Sequence, residues 1–321
     1  MSSGTTTDIC KKNTRRNKNI GKKKAAFYLK RDFFLYLLLL LPILYYVIFK
    51  YVPMYGVIIA FKDYNMFSGV MKSPWIGLDA FVEIFKMDTF YRALRNTLTL
   101  NFLDLVAGFP VPIILAIMLS ELKGVWFKKV SQTVLYLPHF LSWVIMGGIV
   151  YQIFSDSGFV NVFLQSIGLE NIPFLSNKWY WLFTYVFVGI WQGAGWGTII
   201  YLAAIAGINK ELYEASNVDG AGRLRKIWHI TLPGLKPTII VLLIMNLGHI
   251  VSIGFDRPFV IGNALVKDFS DVISTFVYSY GLQSAQYTMA TAVGLFQSLV
   301  CLIFLLLTNY IAEKSGEQGI W

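Results

Sequence analysis

Residues 181–205 read WLFTYVFVGIWQGAGWGTIIYLAAI, a stretch without a single Asp, Glu, Lys or Arg. A helix rises about 1.5 Å per residue and the hydrocarbon core of a bilayer is about 30 Å thick, so about 20 mostly apolar residues cross it. This stretch is long enough, and five others match it. The runs lie at roughly 33–52, 96–119, 130–154, 180–205, 237–255 and 287–310. The chain of 321 residues is 56% hydrophobic and 14% charged, with a mean hydropathy of +0.57. Soluble domains hold about 45–50% apolar and about 25% charged residues. The expected fold is therefore an all-α polytopic membrane protein with six transmembrane helices.

Local chemistry marks two of the runs. The second carries Pro110 and Pro112, which are expected to kink it. The fourth contains Gly193, Gly195 and Gly197, which are expected to loosen its helical geometry. Irregular backbone at membrane depth is tolerated only where protein or a water-filled cavity surrounds it. Between the first two runs, residues 62–92 (KDYNMFSGVMKSPWIGLDAFVEIFKMDTFYR) mix charges with aromatics. They read equally well as a small capping element and as a loop of interfacial Trp and Tyr. No period of 20–50 residues recurs, which excludes repeat architectures.

Charge orients the chain. The net charge is +10, and ten of the 28 Lys and Arg lie in residues 1–32, a basic tail suited to cytosol and anionic lipid. That tail lacks the interleaved aromatics or motif of a nucleic-acid binder. With six spans both termini share one side. Placing them inside makes 121–129, 207–236 and 311–321 the inner segments, with Lys123, Lys128, Lys129, Lys210, Arg223, Arg225, Lys226, Lys236 and Lys314. The outer segments, 50–95, 155–179 and 255–285, hold as many bases over about twice the length. The positive-inside rule thus predicts cytoplasmic termini in a multi-pass cell-membrane protein. The expected organisation is a basic tail (1–32), a first helix (33–52), an extracellular or interfacial segment (53–95), a transmembrane core (96–310) that includes the inner loop 207–236, and a cytosolic C-terminal tail (311–321). The two cysteines, Cys10 and Cys301, make no disulfide framework.

The inner loop 207–236 contains EASNVDGAGRLRKIWHITLP at 214–233. Asn209 suits an N-cap and Glu211 the first turn of a short helix. Asp219-Gly220 signals a turn. Leu224, Ile227, Trp228 and Thr231 then recur on one face of a second short helix, which Pro233 is expected to close by disfavouring helical geometry at Leu232. On its own this reads as two short helices lying on the membrane surface.

The spacing E-A-S-x-x-D-G-A followed by I-x-L-P resembles the EAA motif of permeases in ATP-binding-cassette importers. Glu214, Ala215, Gly220, Ile230, Leu232 and Pro233 match it, Asp219 and Ala221 complete the stretch, and Ser216 replaces the second alanine. FKDYN, SPWIGLDAF, DVISTFVYSYGL, QYTMATAVGLF and GEQGIW resemble the MalF-like branch, specifically the multiple-sugar or polysaccharide (LplB-type) permeases, over nearly the whole chain from residue 33. The resemblance implies a type I importer permease fold whose 207–236 loop is a cytosolic coupling helix inserted into a partner ATPase. It also implies a second, MalG-like permease subunit, an ATPase dimer that uses ATP with magnesium, and an extracellular solute-binding lipoprotein. The implied cargo is an oligosaccharide, pectin-derived fragments among the options. The chain itself would bind no cofactor and catalyse no reaction.

Polar groups within the spans are costly and therefore face protein or water. Asp104 is the one acid inside a span, with Asn101 a turn before it; it either lines a pathway or accepts a bond between helices. Trp191, Gln192 and Trp196 suit a sugar, whose C–H faces stack on indoles and whose hydroxyls bond amides, and they suit aromatic core packing as well. Asn246 and His249 share a face of the fifth run, while Gln283 and Gln286 stand at the mouth of the sixth. His139, His229 and His249 lack metal-ligand spacing. A polytopic glycosyl or acyl transferase is the alternative of a different class, but it needs convergent acids or a metal near one interface. No G-x-x-x-x-G-K-[ST] phosphate loop occurs in the sequence. A permease for another solute class is the nearer alternative.

Overall fold

The structure is a computed structural model and describes residues 31–314 together with 316 and 319. The basic tail up to residue 30, with Cys10, lies outside the described residues, as does most of the GEQGIW terminus. Every regular element is helical, and six helical segments are long and apolar enough to cross a membrane: Phe33–Phe61, Asp88–Glu121, Trp143–Ser166, Lys178–Ala206, Arg223–Gly248 and Tyr287–Lys314. They are called spans 1 to 6 below.

The chain divides into two compact units. The first, Met1–Ile58, is essentially span 1. Its helix Phe33–Tyr46 passes through a π-turn at Val47–Tyr51 and runs on, beyond the expected end at residue 52, into a 3-10 stretch. Its apolar side chains point outward, with Leu41 75% exposed, as lipid-facing surface requires.

The second unit, Ile59–Trp321, holds the other spans around three apolar clusters. One gathers Leu100, Met146, Trp181, Tyr185 and Ile261. Another gathers Ala60, Ala80, Ile84, Phe90, Phe276 and Val293, and a third Ala116, Tyr201 and Leu235. The segment between the first two spans belongs to the second cluster, so it is a packed element rather than a loose loop. Its helix Asp79–Ile84 buries Ala80 and Ile84, and Thr288 at the start of span 6 receives the Tyr64 N–H and donates to the Lys62 carbonyl. Span 2 begins at Asp88, so the last residues assigned to that outer segment are already helical.

Three expectations need correction. The third run, expected as one helix over 130–154, is split. Val125–Tyr136 is a helix, Leu137–Phe140 a 3-10 turn, and a new helix starts at Trp143 with the Ser142 hydroxyl capping Ile145 N–H. Pro138, which lacks an N–H and crowds the preceding turn, sits at the break. The fourth run is an unbroken helix, Lys178–Ala206, despite its glycines. Gly195 and Gly197 serve close approach to neighbouring helices, whereas Gly193 has open space over it. A Cβ on Gly195 would fall 1.9 Å from the Leu135 carbonyl oxygen, so bare backbone lets the helix Val125–Tyr136 lie against span 4. Finally, Leu232 is helical (φ −64°, ψ −46°), and Pro233 does not close a second short helix. A π-turn at Ile227–Thr231 carries Arg223–Lys226 straight into Leu232–Gly248. The wider turn accommodates the ring that would clash with the carbonyl four residues back. Span 5 therefore ends at Gly248, short of the expected 255. In span 2 a π-turn, Asp104–Gly108, likewise precedes Pro110.

Candidate functional site: a cavity with an ion pair among the spans and an exposed elbow

Spans 2, 4 and 5 line a half-open cavity of about 420 Å³, within the range of roughly 300–1,000 Å³ usual for small-molecule sites. One face of span 4 supplies Gly189, Gly193 and Gly197; the space over Gly193 is open, while Arg257 and Pro112 fill that over the other two. Span 2 supplies Asn101 and Asp104, and the end of span 5 supplies Asn246 and His249. The wall is completed by Arg257, from the short helix Asp256–Ile261 that follows span 5.

Arg257 forms a bidentate pair with Asp104: Nη1 donates to Oδ2 at 3.0 Å and Nη2 to Oδ1 at 2.9 Å. The guanidinium carbon lies 3.5 Å from the centre of the buried Tyr185 ring, a cation–π contact. Gly189 makes the approach possible, because a Cβ there would fall 2.4 Å from Nη1. Asn101 is occupied differently, donating to the Ile250 and Ser252 carbonyls and so holding the turn after span 5 against span 2.

The structure brings Asp104, Asn246 and His249 to one cavity and leaves Trp191, Gln192 and Trp196 on other faces of span 4. Trp196, 47% exposed, stacks on His139 with ring centres 4.7 Å apart and planes 7° from parallel. Gln192 Nε2 reaches the His139 carbonyl at 3.5 Å, and Trp191 is 41% exposed. Gln283 and Gln286 fall at a π-turn and its exit beside span 6. Sequence reading missed Arg257 by placing it in an outer loop. The available signal was Asp104 itself, since a lone acid in a span calls for a counter-charge.

The second candidate region is the elbow before span 5. Asn209 caps the helix Lys210–Val218, its Oδ1 accepting the Glu211 N–H at 3.0 Å. The turn after this helix passes through Gly220, whose φ of +69° is a left-handed conformation that glycine adopts without steric cost. The Lys226 ammonium donates to Asn217 Oδ1 across the turn, and the Tyr213 and Thr231 hydroxyls meet at 2.9 Å. Glu214, Ala215, Asp219 and Gly220 are exposed, Ala221, Ile230 and Leu232 half-buried, and Pro233 exposed. The expected apolar stripe is not a buried face. Thr231 is 3% exposed, but Leu224 is 73% and Trp228 67% exposed, and Val218 at the tip is 89% exposed. Among the described residues no group of three or more His, Cys, Asp or Glu converges on a metal site.

A family model for a binding-protein-dependent transport system inner membrane component matches residues 94–315. Protein LplB of Bacillus subtilis (strain 168) is 46% identical over 294 residues, which cover 91% of this chain and 92% of LplB. The polygalacturonan/rhamnogalacturonan transport system permease protein YteP of the same organism is 44% identical, with 94% of each chain covered. A solved bacterial alginate ABC transporter, in complex with alginate pentasaccharide-bound periplasmic protein, contains a chain 42% identical with a TM-score of 0.82, covering 91% of this chain and 98% of that one.

Proposed function

Because the chain belongs to the family of binding-protein-dependent transport system inner membrane components, we propose that it imports an oligosaccharide cut from an acidic polysaccharide. It is a multi-pass permease subunit of an ATP-binding-cassette importer, not an enzyme. The observation that carries the cargo reading is an ion pair set in the wall of a largely apolar cavity, in a chain similar, over nine tenths of its length, to permeases named for polyuronate transport. In this reading an extracellular solute-binding lipoprotein delivers the saccharide to a pathway shared with a second, MalG-like permease. Asp104, Asn246 and His249 line this chain's side of it. Trp191, Gln192 and Trp196 reach cargo only across the cleft that the second subunit closes.

The elbow residues Glu214, Ala215, Asp219, Gly220, Ala221, Ile230, Leu232 and Pro233 dock this chain on a separate ATPase dimer, which uses ATP with magnesium. Both termini lie in the cytoplasm. The continuous helix from Arg223 through span 5 supports that role, since a push on the elbow passes directly to Asn246 near the cavity. Purifying the assembled complex from its native membrane and identifying co-bound saccharide by mass spectrometry tests the cargo. An acidic oligosaccharide is expected, and a neutral sugar, a peptide or a lipid in its place overturns the reading.

A further inference from the structure

The guanidinium of Arg257 has more donor capacity than the protein uses. It offers five N–H donors in a planar fork. The end edge, Nη1 and Nη2, engages Asp104. The other edge carries Nε, which is buried and has no hydrogen-bond partner among the described residues. Buried donors are rarely left unpaired, and because Nε is closed off, the end edge shared with Asp104 is the one a carboxylate entering the cavity can meet, by the same two-point geometry that Asp104 uses. The pair is not sealed in the bundle either. Asp104 is 28% and Arg257 14% exposed, and both belong to the cavity wall.

The surroundings back the cation: the Arg257 guanidinium lies over the Tyr185 ring, in the space left by Gly189. Asp104 opens the π-turn Asp104–Gly108, where the backbone already departs from regular α-helical bonding. A cation backed by an aromatic ring and facing a single carboxylate in the cavity wall is an arrangement in which a second carboxylate can compete for the first.

We propose that Arg257 determines cargo specificity by binding a carboxylate of an acidic saccharide in the cavity, and that Asp104 is the counter-ion that holds the guanidinium in place between cargoes. An unpaired arginine at membrane depth would be costly, so the empty cavity needs that substitute. The inference rests on the acidic-cargo reading above.

The test measures galacturonate trisaccharide on the purified importer complex, as equilibrium binding per folded complex and as uptake into proteoliposomes with the binding protein present. The variants are Arg257→Gln, Arg257→Lys, Asp104→Asn and the double Asp104→Asn/Arg257→Gln. Removing the cation is expected to weaken binding at least tenfold, and Arg257→Lys to weaken it less. Asp104→Asn is expected to tighten binding several-fold, and the double variant to bind as poorly as Arg257→Gln. A purely structural pair gives a different pattern: both single variants lose assembled complex at unchanged affinity, and the double variant recovers it. That pattern, or tighter binding absent in Asp104→Asn, overturns the inference even if Arg257→Gln fails to assemble. A wild-type complex that neither binds nor imports the trisaccharide overturns the acidic-cargo reading itself, and this inference with it.

Discussion

Replacing Gly195 by alanine tests whether the glycines of span 4 serve helix contact. The added Cβ would fall 1.9 Å from the Leu135 carbonyl oxygen and 2.5 Å from its carbon. Both are backbone atoms, so no rotamer change relieves the overlap and the two helices must separate. Overpacking typically costs about 1–3 kcal/mol and occasionally more, while Gly→Ala in a helix interior returns about 1 kcal/mol. A backbone overlap of this depth belongs at or above the upper end, leaving a net loss of about 2 kcal/mol or more. Gly193 is the internal control, on the same helix with no atom within 4 Å of its built Cβ. Gly193→Ala should therefore stabilise by up to about 1 kcal/mol through propensity alone. The assay is the apparent melting temperature of the purified complex, where each kcal/mol moves a domain of 150–250 residues by about 2–4 °C. Gly195→Ala should melt roughly 5 °C or more below wild type, and Gly193→Ala at or above it. Equal melting of the two variants would refute the close-contact argument.

Three further outcomes are expected. At Gly220, φ is +69° with open space around it, so valine adds conformational strain of order 1–3 kcal/mol and no clash, while asparagine tolerates the turn. Gly220→Val, like Glu214→Lys, should abolish substrate-stimulated ATPase activity with the complex still assembled, and Gly220→Asn should keep most of it; wild-type stimulation in Gly220→Val and Glu214→Lys would make the elbow a mere anchor. With Cys10 and Cys301 replaced, a cysteine at Ser157 should react with an impermeant reagent in intact cells and one at Val218 should not, and the opposite result reverses the topology. Trp191→Ala and Gln192→Ala should lower oligosaccharide uptake with little change in melting, because Trp191 is 41% exposed; uptake falling only in step with lost complex would mean simple packing.

The membrane architecture was legible in the sequence because hydropathy over about 20 residues is a local quantity. The elbow was legible because an N-cap at Asn209 and a positive-φ turn at Gly220 are set by neighbouring residues. What failed depended on distant chain. Gly193, Gly195 and Gly197 look alike in sequence, yet Gly193 opens onto a cavity, Gly197 lines it with Pro112 packed close, and Gly195 meets the backbone of Leu135. Pro233 carries the same local bias as any proline, and only the π-turn before it explains an unbroken span 5. Arg257 pairs with Asp104 across 153 positions, a separation that no periodicity encodes.

Those π-turns bear on how the chain should be compared with its relatives. Each of Asp104–Gly108 and Ile227–Thr231 holds one residue more per turn than an α-helix does. A homologue that keeps regular α geometry there needs one residue fewer to cover the same length. Its alignment then carries a single-position gap inside an apolar span, where gaps are usually rejected as errors. Forcing such an alignment closed would shift every downstream residue of that span by about 100° around the helix axis. Cavity-facing and buried positions would be exchanged on paper while the folded proteins still agreed. Gap placement at these two turns therefore decides whether positions such as Asn246 are compared with their true counterparts.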